Sequence, residues 1–430
     1  METHVGKQHS LERFQAMVAW QNRVLALFGC YMYLGKERVS YRIVPICFMA
    51  SSFVLLSLYS AIQAWGNMGL AVLSIVVLFY GIVGVTRLAV AISNPAGCYR
   101  SIQIAEEMYQ RANGSNPAEC NVLAKYTDLY CKSVQLYTFF FVLSVVVLTL
   151  MPFALYLLRG ERYLPLGIVL PFIAETDDFG FWCTLAGQLA YMYSGSFGLI
   201  PSQNIYFAFV LNICLQYELQ IERLKQLDER IRSSNTPKLT VRDQLVKIIQ
   251  LQQESTKYAT GSRVSKKKQN INAGILFYSY ITHIERFYQL QSFVEFLCNS
   301  LQVALTLNEL HRNFWLPGLF ILPIAVMQML ILCSLGTLIE LKSDQFKDQL
   351  YDIAWPEMDL PEQGMFKYVL KSAQQPKQLT CGRFAVINMN LFLAVCMRCV
   401  GMVDGSRLMK LMQDDVRFRF RFTKRFTHSL

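Results

Sequence analysis

Apolar residues in this chain gather into stretches of about twenty, and the charges crowd into the segments between them. A helix rises 1.5 Å per residue, so roughly twenty apolar residues cross ~30 Å of hydrocarbon. On that rule the first span is predicted at about Ile43 to Trp65. A short link, Gly66 to Gly69, leads to a second span at about Leu70 to Ile92. Its one charge, Arg87, lies near the end and is expected to snorkel to the headgroups. A third span is predicted at about Val134 to Leu158. The fourth starts near Phe181 and has no clear stop, running past Leu215 into the helical segment Tyr217 to Ile231, where Asp228 and Arg232 form an i,i+4 pair. The fifth is expected at about Ser292 to Leu310, the sixth at about Phe314 to Leu341, and the last begins near Thr380. The predicted fold class is all-α transmembrane with seven membrane helices.

The remaining segments complete the organisation. Residues 1–42 form a cytoplasmic N-terminus, with an interfacial or re-entrant helix over Phe14 to Leu34. Met1 to Glu12 is polar and has no signal-peptide pattern, so the first membrane helix is expected to direct insertion. Helices one to four occupy 43–217, with a polar stretch at Asn94 to Lys132 and a loop at Arg159 to Gly180 carrying Glu175, Asp177 and Asp178. Residues 218–291 are a cytoplasmic helical segment, broken at Ser233 to Pro237 and basic at Lys266 to Lys268. Helices five and six take 292–341, a cytoplasmic anchor segment with a helix candidate at Gln363 to Gln374 takes 342–379, and the last helix takes 380–410. An atypical basic tail, 411–430, ends the chain.

Charge placement gives orientation. Lysine and arginine concentrate in the N-terminal region and in the 94–132, 218–270 and 342–377 segments, which alternation puts on one side. By the positive-inside preference that side is the cytoplasm, so the amino end is inside and the carboxyl end outside. Composition agrees with a membrane chain: 53% hydrophobic and 17% charged, where soluble proteins carry about 25% charged residues. The net charge of +11 follows from these connectors, which disfavours nucleic acid as a partner. Twelve cysteines without regular spacing, several inside apolar runs, do not read as a disulfide framework.

Catalytic and G-protein-receptor motifs are not evident. An acidic-Arg-Tyr triplet after the third helix and Asn-Pro-x-x-Tyr in the seventh are both missing, and Asn94-Pro95 has Tyr99 one residue too far along. A phosphate loop, a metal pattern and a nucleophile elbow are equally missing, so neither enzyme activity nor a cofactor is expected. Cys396 and Cys399 have redox spacing but no second pair nearby, and are read as coincidence. The sequon at Asn113 faces the cytoplasm in this topology, and His283 and Glu295 read as packing residues.

The carboxyl-terminal quarter carries a resemblance. Tyr351-x-x-x-Trp355, Phe366-Lys367, the run Gln374-Gln375-Pro376-Lys377-Gln378-Leu379-Thr380-Cys381-Gly382-Arg383-Phe384, and Leu391-Phe392 are similar to the signature leading into the last helix of insect odorant receptors. Looser agreement runs over about residues 15 to 399. The resemblance implies a ligand-gated, non-selective cation channel in the plasma membrane of olfactory neurons, four subunits around one pore, with this chain paired to an olfactory co-receptor. It further implies a cytoplasmic anchor joining subunits around 215–290 and 342–378, marked here by Tyr351, Trp355, Phe366, Pro376, Thr380, Gly382 and Phe384. The last helix would line the pore, and helices two, three, four and six would enclose an odorant pocket in the outer half of the membrane.

Residue spacing supplies candidates for that pocket. They are Ile75, Phe79 and Tyr80 of helix two, Thr149, Phe153 and Tyr156 of helix three, Met192, Tyr193, Ser196 and Phe197 of helix four, and Phe320, Ile324 and Met327 of helix six. Aromatics with a few hydroxyls suit a small, mostly apolar volatile odorant, although ordinary helix packing would use the same residues. Burying ~250–300 Å² of apolar odorant at ~25 cal/mol/Å² gives roughly 6–8 kcal/mol, which association costs reduce toward micromolar affinity. The family's final helix usually ends in an apolar run; here Gly401, Asp404, Gly405 and Arg407 follow. One reading is that the chain from about 400 is not a native receptor ending, and no pore-gate residue is assigned. Competing readings are a gustatory-type channel, a metabotropic seven-helix receptor, a transporter and the co-receptor itself.

Overall fold

The structure is a computed structural model that describes residues 2–27, 29, 41–93, 95–111, 116–160, 162–171, 177–232, 273–312, 315–374, 378–381 and 385–403. Ten α-helices carry almost all of it: α1 Glu2–Leu27, α2 Ile43–Gln63, α3 Met68–Ser93, α4 Pro95–Arg111, α5 Pro117–Arg159, α6 Asp178–Arg232, α7 Ala273–Arg312, α8 Leu316–Asp352, α9 Leu360–Ala373 and α10 Met389–Val403. A two-stranded hairpin, β1 Thr380–Cys381 and β2 Ala385–Val386, precedes α10. Helices α2, α3, α5, α6 and α8 are long and apolar enough to cross a bilayer, and α10 is a shorter apolar helix. The seventh spanning helix is α7, whose polar stripe is described below.

Several helices run far past the hydrocarbon. The 43 residues of α5 and the 55 of α6 correspond to about 65 and 80 Å of helix. The apolar stripe of α5 begins well before the predicted span: Leu123, Tyr126, Tyr130, Val134 and Tyr137 are all buried. A stripe three or four residues apart is too narrow to register as an apolar run, which is why 117–132 reads as polar connector. Asn116 starts the helix by accepting from the Ala118 amide at 3.0 Å, and Gly160, at φ +68°, ends it.

Helix α1 packs against α4, α5 and α6. Phe14 stacks on Tyr109 at 4.9 Å and meets Tyr130 at 5.8 Å. Tyr109 contacts the Thr127 hydroxyl at 3.2 Å, and burial pushes its phenol up to about 12, so it stays neutral. The helix thus covers Glu2–Leu27 instead of the expected Phe14 to Leu34; residues 30–40 lie outside the described set. Cross-helix ion pairs join α5, α6 and α8: Glu119 with Arg223 at 3.0 Å and Glu218 with Lys342 at 2.5 Å.

The last helix starts at Met389, later than the predicted Thr380. The chain first makes the hairpin, with Thr380 opposite Val386. This segment grips α8. Glu340 accepts from Gln378 at 2.9 Å and Asn388 at 3.3 Å, and Thr337 accepts the Met389 amide at 2.8 Å. Gly336 permits the approach, since a Cβ there would overlap the Ile387 carbonyl. Among the signature residues, Phe366 is core, Tyr351 and Trp355 are partly exposed, and Thr380 is in β1. Pro376, Gly382 and Phe384 lie outside the described residues, as do Asn113, 233–272 and the tail from 404.

Candidate functional site

A cavity of about 290 Å³ opens among α2, α3, α5 and α6. Three glycines make the room. An added Cβ at Gly84, Gly195 or Gly198 would meet nothing within 4 Å, and all three line the cavity. By contrast Gly81, one turn from Gly84, is pressed against Phe53, so α2 and α3 touch there. The wall is mostly apolar, with Met49, Phe53, Val77, Phe141, Leu148 and Ile321 among its residues.

The outer end is roofed by the loop after α5. Ile168 is 1% exposed, although loop backbone at membrane depth must find hydrogen bonds inside the protein. It does. Gln188 accepts the Leu166 amide at 2.9 Å and donates to the Ile168 carbonyl at 2.7 Å. Ser60 accepts the Val169 amide at 2.8 Å, and Ser74 donates to the Gly167 carbonyl at 2.9 Å. Leu166 reaches the cavity.

The inner end is polar. Arg87 does not snorkel outward as expected; its side chain is 5% exposed and pairs with Glu295 of α7 at 2.6 Å. It also donates to Gln203 at 2.5 Å, Ser202 at 3.0 Å and the Leu199 carbonyl at 3.2 Å. A guanidinium desolvated this fully needs a counter-charge and acceptors; α6 and α7 supply them to Nη1 and Nη2, while Nε has no hydrogen-bond partner among the described residues. Glu295 therefore has a named partner, while the side chain of His283 lies outside the description. Glu295 belongs to a longer polar stripe: Gln291, Glu295, Asn299, Gln302, Thr306 and Glu309 are all buried at spacings of three or four. Gln302 donates to the Val76 carbonyl of α3 at 3.0 Å. With Glu295 near Arg87 and Glu309 near Gly69, α7 runs antiparallel to α3. The spacing of these polar residues was the available signal in the sequence, hidden because a hydropathy average over 292–310 does not resolve faces.

Of the predicted pocket residues, Tyr80, Met192, Ser196 and Ile324 line the cavity together. Ile75 and Phe79 of α3 are not among the residues lining the cavity, and Met327 packs into the main core. Phe153 and Tyr156 instead surround Trp182, with ring centroids 6.1 and 5.4 Å apart. Tyr193 and Phe197 share an exposed face of α6, Thr149 contacts Tyr193 at 3.1 Å, and Phe320 is exposed. The cavity thus lies deeper than the predicted constellation and takes a wall from α2 that spacing alone did not nominate.

A bundle of membrane helices around an apolar cavity, roofed at one end, defines a polytopic membrane protein with a small-molecule site among its helices. The model of the 7tm Odorant receptor family matches residues 67–400, and the chain belongs to that family. Its fold is similar to that of the insect olfactory receptor OR5 from Machilis hrabei. A structure of that receptor in complex with eugenol aligns with a TM-score of 0.61 at 13% identity, covering 93% of this chain and 99% of the other. A second structure of the same receptor aligns with a TM-score of 0.64 at 12% identity over the same shares. The protein is an odorant receptor by family and an all-α, seven-helix membrane protein by fold.

Proposed function

We propose that this chain is the odorant-tuning subunit of a ligand-gated, non-selective cation channel, assembled with a co-receptor subunit in the plasma membrane of olfactory neurons. The observation that carries the reading is the roofed cavity of about 290 Å³ made by Gly84, Gly195 and Gly198, a size suited to one small volatile. The OR5 receptor of similar fold is known with eugenol bound, a ligand of that scale. In this reading the amino end is cytoplasmic, α10 lines the shared pore, and the cytoplasmic ends of α6 to α9 join the subunits, four around one pore. Gating requires the odorant to bind open and closed cavities with different affinity. Phe392 and Val395 of α10 pack against the same core as Met192 of the cavity wall, which gives such a difference a packed route to the last helix.

The test is co-expression with a co-receptor in cells, application of volatiles, and current recording under G-protein blockade. Gly84→Leu fills the cavity and is expected to abolish odorant-evoked current while the chain still reaches the surface. Responses that survive this substitution, or vanish under G-protein blockade, contradict the proposal.

A further inference from the structure

We propose that ligands reach the cavity sideways, from the hydrocarbon of the bilayer, through the seam between α2 and α6, and that the Tyr191–Ser52 hydrogen bond is the latch of that entrance. The inference rests on the reading of the cavity as the odorant site and adds the route by which it fills.

Both ends of the cavity are tied shut. Over the outer end, Gln188, Ser60 and Ser74 hold the loop backbone through four hydrogen bonds. At the inner end Arg87 binds Glu295, Gln203, Ser202 and the Leu199 carbonyl. The side walls differ among themselves. Helix α2 packs along α3, where Phe53 presses against Gly81, and α5 packs along α6. Contacts of α2 with α6, and of α5 with α8, are sparser. Of these two seams only α2–α6 has glycines among its cavity-lining residues. They are Gly195 and Gly198, where an added Cβ would meet nothing within 4 Å.

Tyr191 bridges that seam. Its ring centroid lies 5.5 Å from that of Phe53, and its hydroxyl is 2.9 Å from the Ser52 hydroxyl. Ser52 gives its own hydrogen to the Met49 carbonyl at 3.0 Å, so Tyr191 donates and Ser52 accepts. Gly195 and Gly198 follow Tyr191 by one and two turns on the same face of α6. Behind the bridge, α6 therefore presents bare backbone where a side chain would otherwise fill the seam. Outside it lies a lipid-compatible surface: Val44, Phe48 and Leu55 of α2 and Phe197 of α6 are exposed. A small apolar volatile favours such a phase over water. Swinging Tyr191 aside breaks one hydrogen bond and one ring contact, whereas the outer end is held by four hydrogen bonds and the inner end by a buried ion pair with three more. A latch crossed on the way in is crossed again on the way out, so it sets both rates and leaves their ratio, the affinity, unchanged.

The experiment uses the full chain co-expressed with a co-receptor and applies and removes eugenol and six- to ten-carbon ketones and esters rapidly. The rise and decay of current are timed with the strongest agonist among them. Ser52→Ala removes the acceptor and is expected to speed both the rise at subsaturating concentration and the decay on washout by about 3- to 10-fold. The half-maximal concentration should stay within about 2-fold of the parent's. Tyr191→Phe keeps the ring, loses the hydroxyl and is expected to speed rise and decay in the same way. Gln188→Ala, and Ser60→Ala should the first fail to reach the surface, loosen the roof and are expected to leave the rise no faster. Unchanged rates in both latch variants overturn the proposal, as does a faster rise in a roof variant, which assigns entry to the outer end. Gly84→Leu separates the two levels. If currents depend on Gly84 but the latch variants keep the parent's rates, the route alone is wrong. If no volatile evokes a Gly84-dependent current, the cavity reading falls and this inference with it.

Discussion

The two stretches of α6 on either side of Pro201 share one continuous backbone but are built differently. From Ile200 to Leu215 every residue except Ser202 is fully buried, and Ile205, Phe209, Ile213 and Leu215 are at most 1% exposed. From Leu189 to Leu199 none is fully buried, and this stretch carries Gly195 and Gly198 beside the cavity. A helix buried on every face sits at the centre of a bundle, and the inner stretch does so, with Gln203, Asn204 and Asn212 buried among its apolar residues. The outer stretch has one face to the exterior and one to an opening, which leaves space for a ligand. Close packing holds the first rigid and loose packing lets the second accommodate a guest.

The comparison can be broken by substitution. Phe209→Ala should cost about 3–5 kcal/mol, the range for emptying a filled aromatic site, whereas Phe197→Ala, at a position 49% exposed, should cost less than about 1 kcal/mol. Thermal unfolding of the purified protein measures both, and equal costs would abolish the distinction. At the junction, Arg87→Ala leaves Glu295 buried without its partner and should cost about 3–5 kcal/mol, most of it recovered when Glu295 is also replaced by an apolar residue. Surface expression and melting temperature of the single and double variants provide the readout. Ala208→Leu should strain the inner stretch by about 1–3 kcal/mol. Gly198→Leu, entering open space, should change stability by less than that and show its effect in ligand response.

Much of the helical layout was legible. Each apolar run long enough to cross a bilayer became a helix, from Ile43–Gln63 to Leu316–Asp352. The candidate helix at Gln363 to Gln374 corresponds to α9, and the Asp228–Arg232 pair forms at 2.9 Å. Asp228 also accepts the Ala354 amide at 2.9 Å, a tertiary contact beside Trp355 that spacing could not supply. Pocket candidates fared unevenly because aromatic residues suit packing, interface and ligand contact equally. Tyr80 and Phe79 are adjacent in sequence and part company because successive helix positions turn by about 100°. Phe153 and Tyr156 look like ligand contacts until Trp182 claims them.

Hydropathy and run length determined the spanning helices, since lipid offers no partner for an open backbone and admits few other structures. Charge placement set an expectation for orientation by the same solvent logic. Where Arg87 turns, where three glycines leave an opening, and which helix answers the polar stripe of α7 were decided only in three dimensions. Those outcomes depend on what stands opposite each side chain across a helix interface, and distant residues such as Arg87 and Glu295 become neighbours only when the bundle closes.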